Sequence, residues 1–293
     1  AVGSAPGFAV TLHGARAFFM PGVPKEMTYI FDTHIVPAIA PLVSRTTHQV
    51  HIRTSGLPES LVAERLADLE SGGSHHTPGV TLGYRASVAE VEVKVLAQAS
   101  DEAQARALAE RVCDEARKRL ADVAYGGKDD TFAAYVGQLL QRAGWKVALA
   151  ESCTGGLIMK MLTDVAGSSA YVLGGAVTYA NSAKRRLLSV PAEVLRAQGA
   201  VAEDVARAMA ENVLAATAAD VAVAVTGIAG PGGCSEQKPV GTVCFALALR
   251  DGQTRACTRV FPGDRDGVRI RTAHFALRLI ADAAQESLDE KNG

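Results

Sequence analysis

The sequence has no long hydrophobic run and no excess of charge of either sign. No apolar stretch approaches the ~20 residues that cross a bilayer, and residues 1–14 lack a basic start followed by an apolar core. Lys and Arg number 30 against 31 Asp and Glu, which gives a formal net charge of -1. This balance argues against a general electrostatic attraction to nucleic acid or to an anionic membrane. We therefore expect a cytoplasmic protein without a membrane or nucleic-acid partner.

Cysteine and aromatic residues are also scarce. The five cysteines are scattered and include no C-x-x-C pair, so neither a disulfide framework nor a zinc site is predicted, and a reducing compartment is the simpler choice. Aromatic residues make up 5% of the chain, which is too few to favour a surface that stacks RNA bases. The histidines lack accompanying Cys or acidic residues at metal spacing, so no metal site is predicted.

The first two segments of the chain differ in pattern. Residues 1–42 predict strands at 9–12 and 17–20 and a helix from 25 to about 37. This segment is too small to fold alone, so either it packs on the next domain or its own first part is missing. Residues 46–122 predict a small α+β unit of order β-α-β-β-α. In its first helix, over 58–69, we expect Leu61, Leu66 and Leu69 to form the apolar stripe.

A glycine-rich and charged linker, residues 124–130, precedes the third segment. From 131 to 293, helices alternate with apolar strands, which predicts a three-layer α/β/α domain. The predicted strands are 146–150, 175–179, 221–226, 242–249 and 254–261, and the predicted helices are 132–143, 157–165, 182–188, 203–217 and 264–288. In sheets of this type, ligands bind at the carboxyl ends of the strands.

Polar or glycine-rich loops follow three of these strands, where that rule puts the site. They are Ser152-Cys153-Thr154-Gly155-Gly156, the segment 179–184 and the segment 226–233. A hydroxyl in a sharp turn between a strand and a helix is how α/β enzymes present a nucleophile, because the helix N-terminus offers unpaired N–H groups. Ordinary capping and turn chemistry is the alternative interpretation.

A nucleophilic serine needs a proton acceptor. His274, the only histidine after residue 131, lies within the last predicted helix among apolar neighbours, so we expect it to pack rather than to react. Lys184 is the alternative base, in the first turn of a helix for which Asn181 is the predicted N-cap. Burial near Arg185 and Arg186 would lower its pKa. Tyr179, at the end of the preceding strand, is placed to shuttle a proton or to hold the lysine.

Taken together and in this order, several motifs resemble the C-terminal domain of the competence/damage-inducible CinA family. They are A-E-S-C-T-G-G at 150–156, A-G-S-S at 166–169, V-T-Y-A-N at 177–181, Lys184, G-A-V at 199–201, T-G-I-A-G-P at 226–231 and K-P-V-G-T-V at 238–243. The motifs A-P-G-F at 5–8 and M-P-G-V-P-K-E-M at 20–27 resemble the end of that family's molybdopterin-binding-like domain. Residues 46–122 stand where the family has a KH-like domain.

The resemblance implies a nicotinamide-nucleotide amidase, which hydrolyses nicotinamide mononucleotide to nicotinate mononucleotide and ammonia in pyridine nucleotide recycling. It implies Ser152 as nucleophile, Lys184 as base and Tyr179 as an assisting group, with backbone N–H groups holding the oxyanion and no metal or redox cofactor. The candidate substrate-binding residues are Thr154, Gly155, Gly156, Thr226, Gly227, Gly230, Arg265 and Arg269. The two arginines are candidates for the phosphate, although surface pairs or a subunit contact are alternatives. We expect a homodimer acting on a small-molecule nucleotide.

Three other functions are considered. Cys153 is an alternative nucleophile, because thiolates at helix N-termini are reactive. The second alternative is that the domain is a catalytically silent module that binds a nucleotide or has a regulatory role. The last alternative is the metal-dependent ADP-ribose pyrophosphatase that some family members carry in the N-terminal domain. We expect that activity to be absent or crippled, because the chain begins almost at the A-P-G-F motif.

Overall fold

The computed structural model describes residues 3, 5–43, 45–70 and 72–292. Its N-terminal unit, residues 5–43, contains the predicted hairpin, strands β1 (Phe8–Leu12) and β2 (Ala15–Phe19), which pair antiparallel. The predicted helix is divided: α1 (Pro24–Ile30) continues through a π-helical turn at Phe31–Ile35 into α2 (Val36–Ile39). Several large apolar side chains of this unit remain exposed, among them Phe8, Leu12 and Leu42.

The α+β unit, residues 45–126, has the predicted order of elements and one additional strand. Its elements are β3 (Thr46–Ser55), α3 (Glu59–Leu66), β4 (Val80–Ala86), β5 (Glu90–Ala99), α4 (Glu102–Arg119) and β6 (Ala124–Gly126). The strands form an antiparallel sheet of order β4-β5-β3-β6. The segment that includes β6 was predicted to be a linker. It pairs with β3 and buries Tyr125 instead.

The apolar stripe predicted for α3 is wrong at one position. Leu61 is 44% exposed, whereas Val62, Leu66 and Leu69 are buried. Val62 and Leu66 are four positions apart and lie on one face of α3, and Leu69 continues that face in the 3₁₀ turn that follows the helix. Leu61 falls beside this face.

The C-terminal unit, residues 132–292, is a sheet between two layers of helices. Its elements are α5 (Phe132–Ala143), β7 (Val147–Glu151), α6 (Leu157–Thr163), β8 (Val172–Val177), α7 (Asn181–Leu188), α8 (Ala192–Gln198), α9 (Glu203–Thr217), β9 (Val221–Gly227), β10 (Thr242–Leu249), β11 (Thr254–Val260) and α10 (Arg265–Asn292). The strand order is β11-β10-β9-β7-β8. Strands β8, β7 and β9 are parallel, and β10 and β11 extend the sheet antiparallel.

Strand β7 shows how the two hydrophobic cores are separated. Val147 and Leu149 point into the core shared with α5, α6 and α10, and Ala148 and Ala150 point into the core shared with α7, α8 and α9. Successive side chains of a strand alternate between its faces, so a strand buried on both sides reads as a continuous apolar run. The predicted three-layer α/β/α architecture is confirmed.

Strand β8 lies earlier in the chain than predicted. It covers Val172–Val177, so the predicted range 175–179 captured only its second half. The two glycines in the middle disfavour a strand by propensity. Gly175 is required by packing nonetheless, because a Cβ atom there would collide with the carbonyl oxygen of Leu149 in β7. Helix α8 was also not predicted, and α10 extends past Leu288 to Asn292.

The α+β unit packs against α5 and α10 of the C-terminal unit. The ring of Tyr125 lies 5.2 Å from that of Phe132, and Oγ of Ser55 lies 3.3 Å from Nδ1 of His274. Arg278 of α10 also donates a hydrogen bond to the carbonyl of Asp122. Among the helices that the structure describes, none combines the length and apolarity needed to cross a membrane.

Candidate active site

Ser152 stands at the carboxyl end of β7, between the ends of β8 and β9. Its N–H donates to the carbonyl of Val225 at 3.0 Å, which fixes it against β9. The chain then turns through Gly155 and Gly156, whose φ angles are +62° and +95°, before α6 begins at Leu157. Glycine adopts these left-handed conformations without steric cost, so the turn can be this sharp. Ser152 is therefore held at the edge of the sheet.

The carboxylate of Glu151 stabilises this turn. It accepts hydrogen bonds from the N–H groups of Gly156, Ile158 and Met159, at 2.9, 3.2 and 2.8 Å, and the residue is 1% exposed. These N–H groups belong to the start of α6, where helical donors have no partner within the helix, and a negative charge is stabilised there. Sequence reasoning missed this role, because the acid lies in the strand rather than at the usual N-cap position.

Lys184 in α7 is almost completely buried, with 1% of its surface exposed. Its Nζ donates to Oγ of Ser152 at 2.8 Å and to the carbonyl of Thr178 at 2.6 Å. Burial lowers the pKa of Lys184 to about 8, because the charged amine loses its hydration. The amine can therefore exist in its neutral form near physiological pH.

Two details around Lys184 differ from expectation. Arg185 and Arg186 were expected to help lower the pKa, but both are exposed, and burial is the main cause of the shift. Asn181 was the predicted N-cap of α7. The structure instead places Ala180 at the cap and makes Asn181 the first helical residue, without a side-chain hydrogen bond to the helix end.

Cys153 follows the serine directly and is 5% exposed. Burial in the apolar core under α6 raises the pKa of its thiol to about 11. A thiol with such a pKa stays protonated near neutral pH, and the thiolate is the nucleophilic form. The local environment therefore disfavours Cys153 as the reacting group.

Tyr179 and Arg265 form the outer side of the site. Tyr179 lies two residues beyond the end of β8, not at its end as predicted, and is 61% exposed. Its hydroxyl accepts a hydrogen bond from Nη2 of Arg265 at 2.9 Å, and Nη1 of Arg265 donates to the carbonyl of Gly230 at 2.7 Å. The expected contact with the lysine is replaced by this one, since Lys184 bonds to the carbonyl of Thr178.

A cavity of about 280 Å³ opens over the Ser152–Lys184 pair. Of the candidate residues, Ser152, Tyr179, Lys184, Thr226, Gly227, Gly230 and Arg265 line this cavity. The other four, Thr154, Gly155, Gly156 and Arg269, do not. Arg269 contacts the turn outside the cavity, where its Nη2 donates to the carbonyl of Thr154 at 2.9 Å. This arginine therefore supports the turn that carries the serine.

The loop at 199–201 forms a further wall of the cavity that sequence reasoning did not assign. Ala200 and Val201 line the cavity. Oγ1 of Thr226 donates to the carbonyl of Ala200 at 2.8 Å, and Nζ of Lys238 donates to that of Val201 at 2.6 Å. The motifs at 199–201 and 238–243 were recognised, but the link between them is made through backbone carbonyls, which leave no signal in the sequence.

His274 lies outside this cavity. Its ring stacks on that of Phe132 with the centroids 5.9 Å apart, and burial lowers its pKa. The predicted packing role agrees with this position. Within the part of the chain that the structure describes, no group of three or more His, Cys, Asp or Glu side chains is arranged to hold a metal ion.

Comparison with known proteins identifies the family. A model of the CinA C-terminal domain matches residues 129–284, and a model of the damage-inducible protein CinA KH domain matches residues 48–126. The chain belongs to the CinA family. The resemblance inferred from the motifs is thereby confirmed for the C-terminal and KH-like domains, and the molybdopterin-binding-like remnant at 1–42 stays a prediction.

Relatives of this CinA-family chain match nearly all of it. It is 44% identical over 295 residues to the competence-damage inducible protein of Symbiobacterium thermophilum, covering 95% of this chain and 67% of the relative. It is 44% identical over 283 residues to a CinA-like protein of Geobacter sulfurreducens, covering 94% of this chain and 66% of the relative. The chain thus spans about two thirds of the length of these relatives.

Solved structures match about half of the chain. The competence/damage inducible protein CihA from Agrobacterium tumefaciens is 44% identical with a TM-score of 0.51, over 53% of this chain and 93% of that one. A CinA superfamily protein from Klebsiella pneumoniae is 35% identical with a TM-score of 0.51, over 53% of this chain and 96% of that one.

Proposed function

We propose that this CinA-family chain hydrolyses the carboxamide of nicotinamide mononucleotide to nicotinate mononucleotide and ammonia, with Ser152 as nucleophile and Lys184 as base. The observation that carries this proposal is the 2.8 Å hydrogen bond between the lysine amine and the serine hydroxyl. A nucleophile and a base within hydrogen-bond distance are what acyl transfer requires. The lowered pKa of Lys184 supports its role as the base.

In the first half of the reaction, Oγ of Ser152 attacks the carboxamide carbon and its proton passes to the neutral amine of Lys184. The carbonyl π pair moves to oxygen and forms a tetrahedral intermediate. Lys184 then gives its proton to the amide nitrogen, the C–N bond breaks, and ammonia leaves. This leaves an ester of Ser152 and returns Lys184 to its neutral form.

In the second half, water replaces ammonia. Lys184 takes a proton from the water, which attacks the ester carbonyl, and collapse of the second intermediate breaks the bond to Ser152. Lys184 returns the proton to Oγ, and the nicotinate product leaves as its acid. The net reaction consumes one water and releases one ammonia, so no redox change occurs.

The developing negative charge on the carbonyl oxygen needs hydrogen-bond donors. The N–H group of Cys153 is suitable, because Cys153 lines the cavity and, within the described chain, its N–H donates to no backbone carbonyl. The N–H after a nucleophile on a strand–turn–helix connection commonly serves this purpose in α/β hydrolases. On the outer side of the cavity, Arg265 has donors that we assign to the substrate phosphate, beside Tyr179.

The test is ammonia release from nicotinamide mononucleotide by the Ser152→Ala variant. We expect activity to fall at least about a thousandfold, since the covalent route is lost, with an unchanged melting temperature. Ser182→Ala is the matched control, because Ser182 is exposed at the start of α7. Full activity of Ser152→Ala would rule out the proposal. Wild-type protein that binds the nucleotide tightly but releases no ammonia would instead identify a silent binding module.

A further inference from the structure

A second cavity, of about 560 Å³, lies between the α+β unit and helix α10. It is larger than the cavity over Ser152, which measures about 280 Å³, and the two share no lining residue. Its walls come from the turn after β3, the turn between β4 and β5, and one face of α10 with the segment before it. Most lining side chains are apolar, including Leu57, Val88, Val91, Val123, Phe261 and Phe275.

Two charged groups in this wall are neutralised by neighbours. The guanidinium of Arg278 donates to the carboxylate of Asp282 at 2.8 Å. The carboxylate of Glu90 accepts hydrogen bonds from Arg53, at 2.8 Å, and from the hydroxyl of Tyr125. These groups therefore present little net charge to the cavity.

Arg271 differs from them. Its Nη1 donates to the carbonyl of Pro262 at 3.0 Å, and no carboxylate among the described residues forms an ion pair with it. A guanidinium carries five N–H donors, so most of its capacity remains unused. The remaining charged group, Glu59, is exposed in the first turn of α3, where the helix N-terminus stabilises a carboxylate. The cavity thus combines apolar walls with a guanidinium that no carboxylate pairs directly, and the exposed carboxylate of Glu59 lines it on the side of α3.

We infer that this cavity binds a small molecule with an apolar, ring-sized body and a single acidic group, such as an aromatic carboxylate. The body packs between the valines of the α+β unit and the aromatic side chains before and within α10, where burial of apolar surface stabilises it. The acid accepts charge-assisted hydrogen bonds from Arg271. This inference is independent of the reaction proposed at Ser152. The ligand contacts the helix that also carries Arg265 and Arg269.

The test is isothermal titration calorimetry of the full chain with two probes, 1-naphthoate and the neutral 1-naphthylmethanol. We expect both to bind near one to one. Arg271→Gln should weaken 1-naphthoate about tenfold, because one charge-assisted contact is lost, and should leave 1-naphthylmethanol unchanged. Arg271→Lys, which keeps the charge, should recover most of the affinity for 1-naphthoate. Equal weakening of both probes by Arg271→Gln would overturn the role of the arginine.

A second pair of variants tests the place of binding. Val88→Trp should fill the cavity and weaken both probes at least about tenfold, whereas Leu12→Trp, a control at an exposed apolar site in β1, should leave them unchanged. Arg265→Gln serves as a control for binding in the cavity over Ser152, and it should have no effect. Binding that survives Val88→Trp, or that Arg265→Gln abolishes, would contradict the inference. Thermal melts confirm that each variant is folded, and the Arg271 variants decide the question if Val88→Trp is not.

Discussion

Nζ of Lys184 lies 2.8 Å from Oγ of Ser152, although 32 positions separate the two residues in the chain. The contact exists because β7 and β8 are neighbouring parallel strands. Ser152 follows the first and α7 follows the second, so the sheet brings both side chains to the same edge. The amine is buried as a result, and its pKa is lowered to about 8. Burial of the amine therefore lowers the stability of the fold while the amine is charged. It favours reactivity, because more of the amine is neutral near physiological pH.

The first prediction concerns the pH dependence of activity. If neutral Lys184 accepts the serine proton, kcat/KM for nicotinamide mononucleotide should rise with pH and level off above about 8, the pKa of the free amine. Ammonia release measured from pH 6 to 9.5 checks this. A rate that does not change through this range, or that rises only toward the ordinary lysine pKa of 10.5, would contradict the assignment of the base.

The second prediction concerns stability. The pKa of Lys184 is about 8 in the folded chain, against the ordinary lysine value of 10.5 in the unfolded chain. Between these values the unfolded chain binds more protons, so raising the pH favours folding. Lys184→Met removes this contribution. The free energy of unfolding of the wild type relative to the variant should therefore increase from pH 7 to pH 10, by at most about 3 kcal/mol.

Urea unfolding of both proteins at the two pH values measures this difference. Because groups that do not interact with Lys184 titrate alike in wild type and variant, comparing the two proteins isolates Lys184 together with its coupling to Cys153. A difference that is the same at pH 7 and pH 10 would mean that the lysine titrates normally in the folded chain.

Parts of this site were readable from the sequence because they depend on strand periodicity and turn chemistry. The apolar run at 147–150 predicted a buried strand, and the polar turn after it placed Ser152 at the end of the sheet. Lys184 followed from its position at the start of a helix after another strand. These features are local, and the parallel arrangement of the strands then carries the side chains together.

Other parts were not readable, because they depend on contacts with backbone atoms or on close packing. Lys184 is held by the carbonyl of Thr178, and any residue supplies a carbonyl. Gly175 was predicted to begin its strand, whereas it lies within β8, and the close approach of Leu149 demands a glycine there. Glu151 acts on donors five to eight positions away through its side chain, beyond the three-residue spacing of a capping box.

The third prediction follows from that carboxylate. Glu151→Gln keeps the shape but removes the charge and one acceptor oxygen, so the start of α6 loses part of its hydrogen bonding. We expect a loss of about 1 to 3 kcal/mol in the free energy of unfolding and a decrease of kcat at temperatures well below the melting point, with little change in KM. Glu193→Gln, at an exposed acid in the first turn of α8, is the matched control. Equal behaviour of the two variants would show that the three hydrogen bonds do not support the turn.

The fourth prediction separates the two neighbouring nucleophile candidates. Cys153→Ala should retain ammonia release within about threefold, because a thiol with a pKa of about 11 is protonated at neutral pH. It should lower stability by about 1 to 2 kcal/mol, since it leaves a small cavity in the core. Iodoacetamide labelling followed by mass spectrometry should modify the exposed Cys234 before the buried Cys153. Inactivation by Cys153→Ala, or by labelling that reaches Cys153 first, would favour the thiol.

The fifth prediction compares two arginines one turn apart on α10. Arg265 lines the cavity and bonds to Tyr179, whereas Arg269 bonds to the carbonyl of Thr154 behind the serine. Arg265→Gln should therefore raise KM at least about tenfold through the lost phosphate contact, and Arg269→Gln should lower kcat with a smaller change in KM, because the turn shifts.

Kinetics with nicotinamide riboside, which lacks the phosphate, sharpen the comparison: Arg265→Gln should affect the riboside much less than the mononucleotide, while Arg269→Gln should affect both equally. If the two variants change the same kinetic parameter in the same way on both substrates, then the division between a binding arginine and a supporting arginine is wrong.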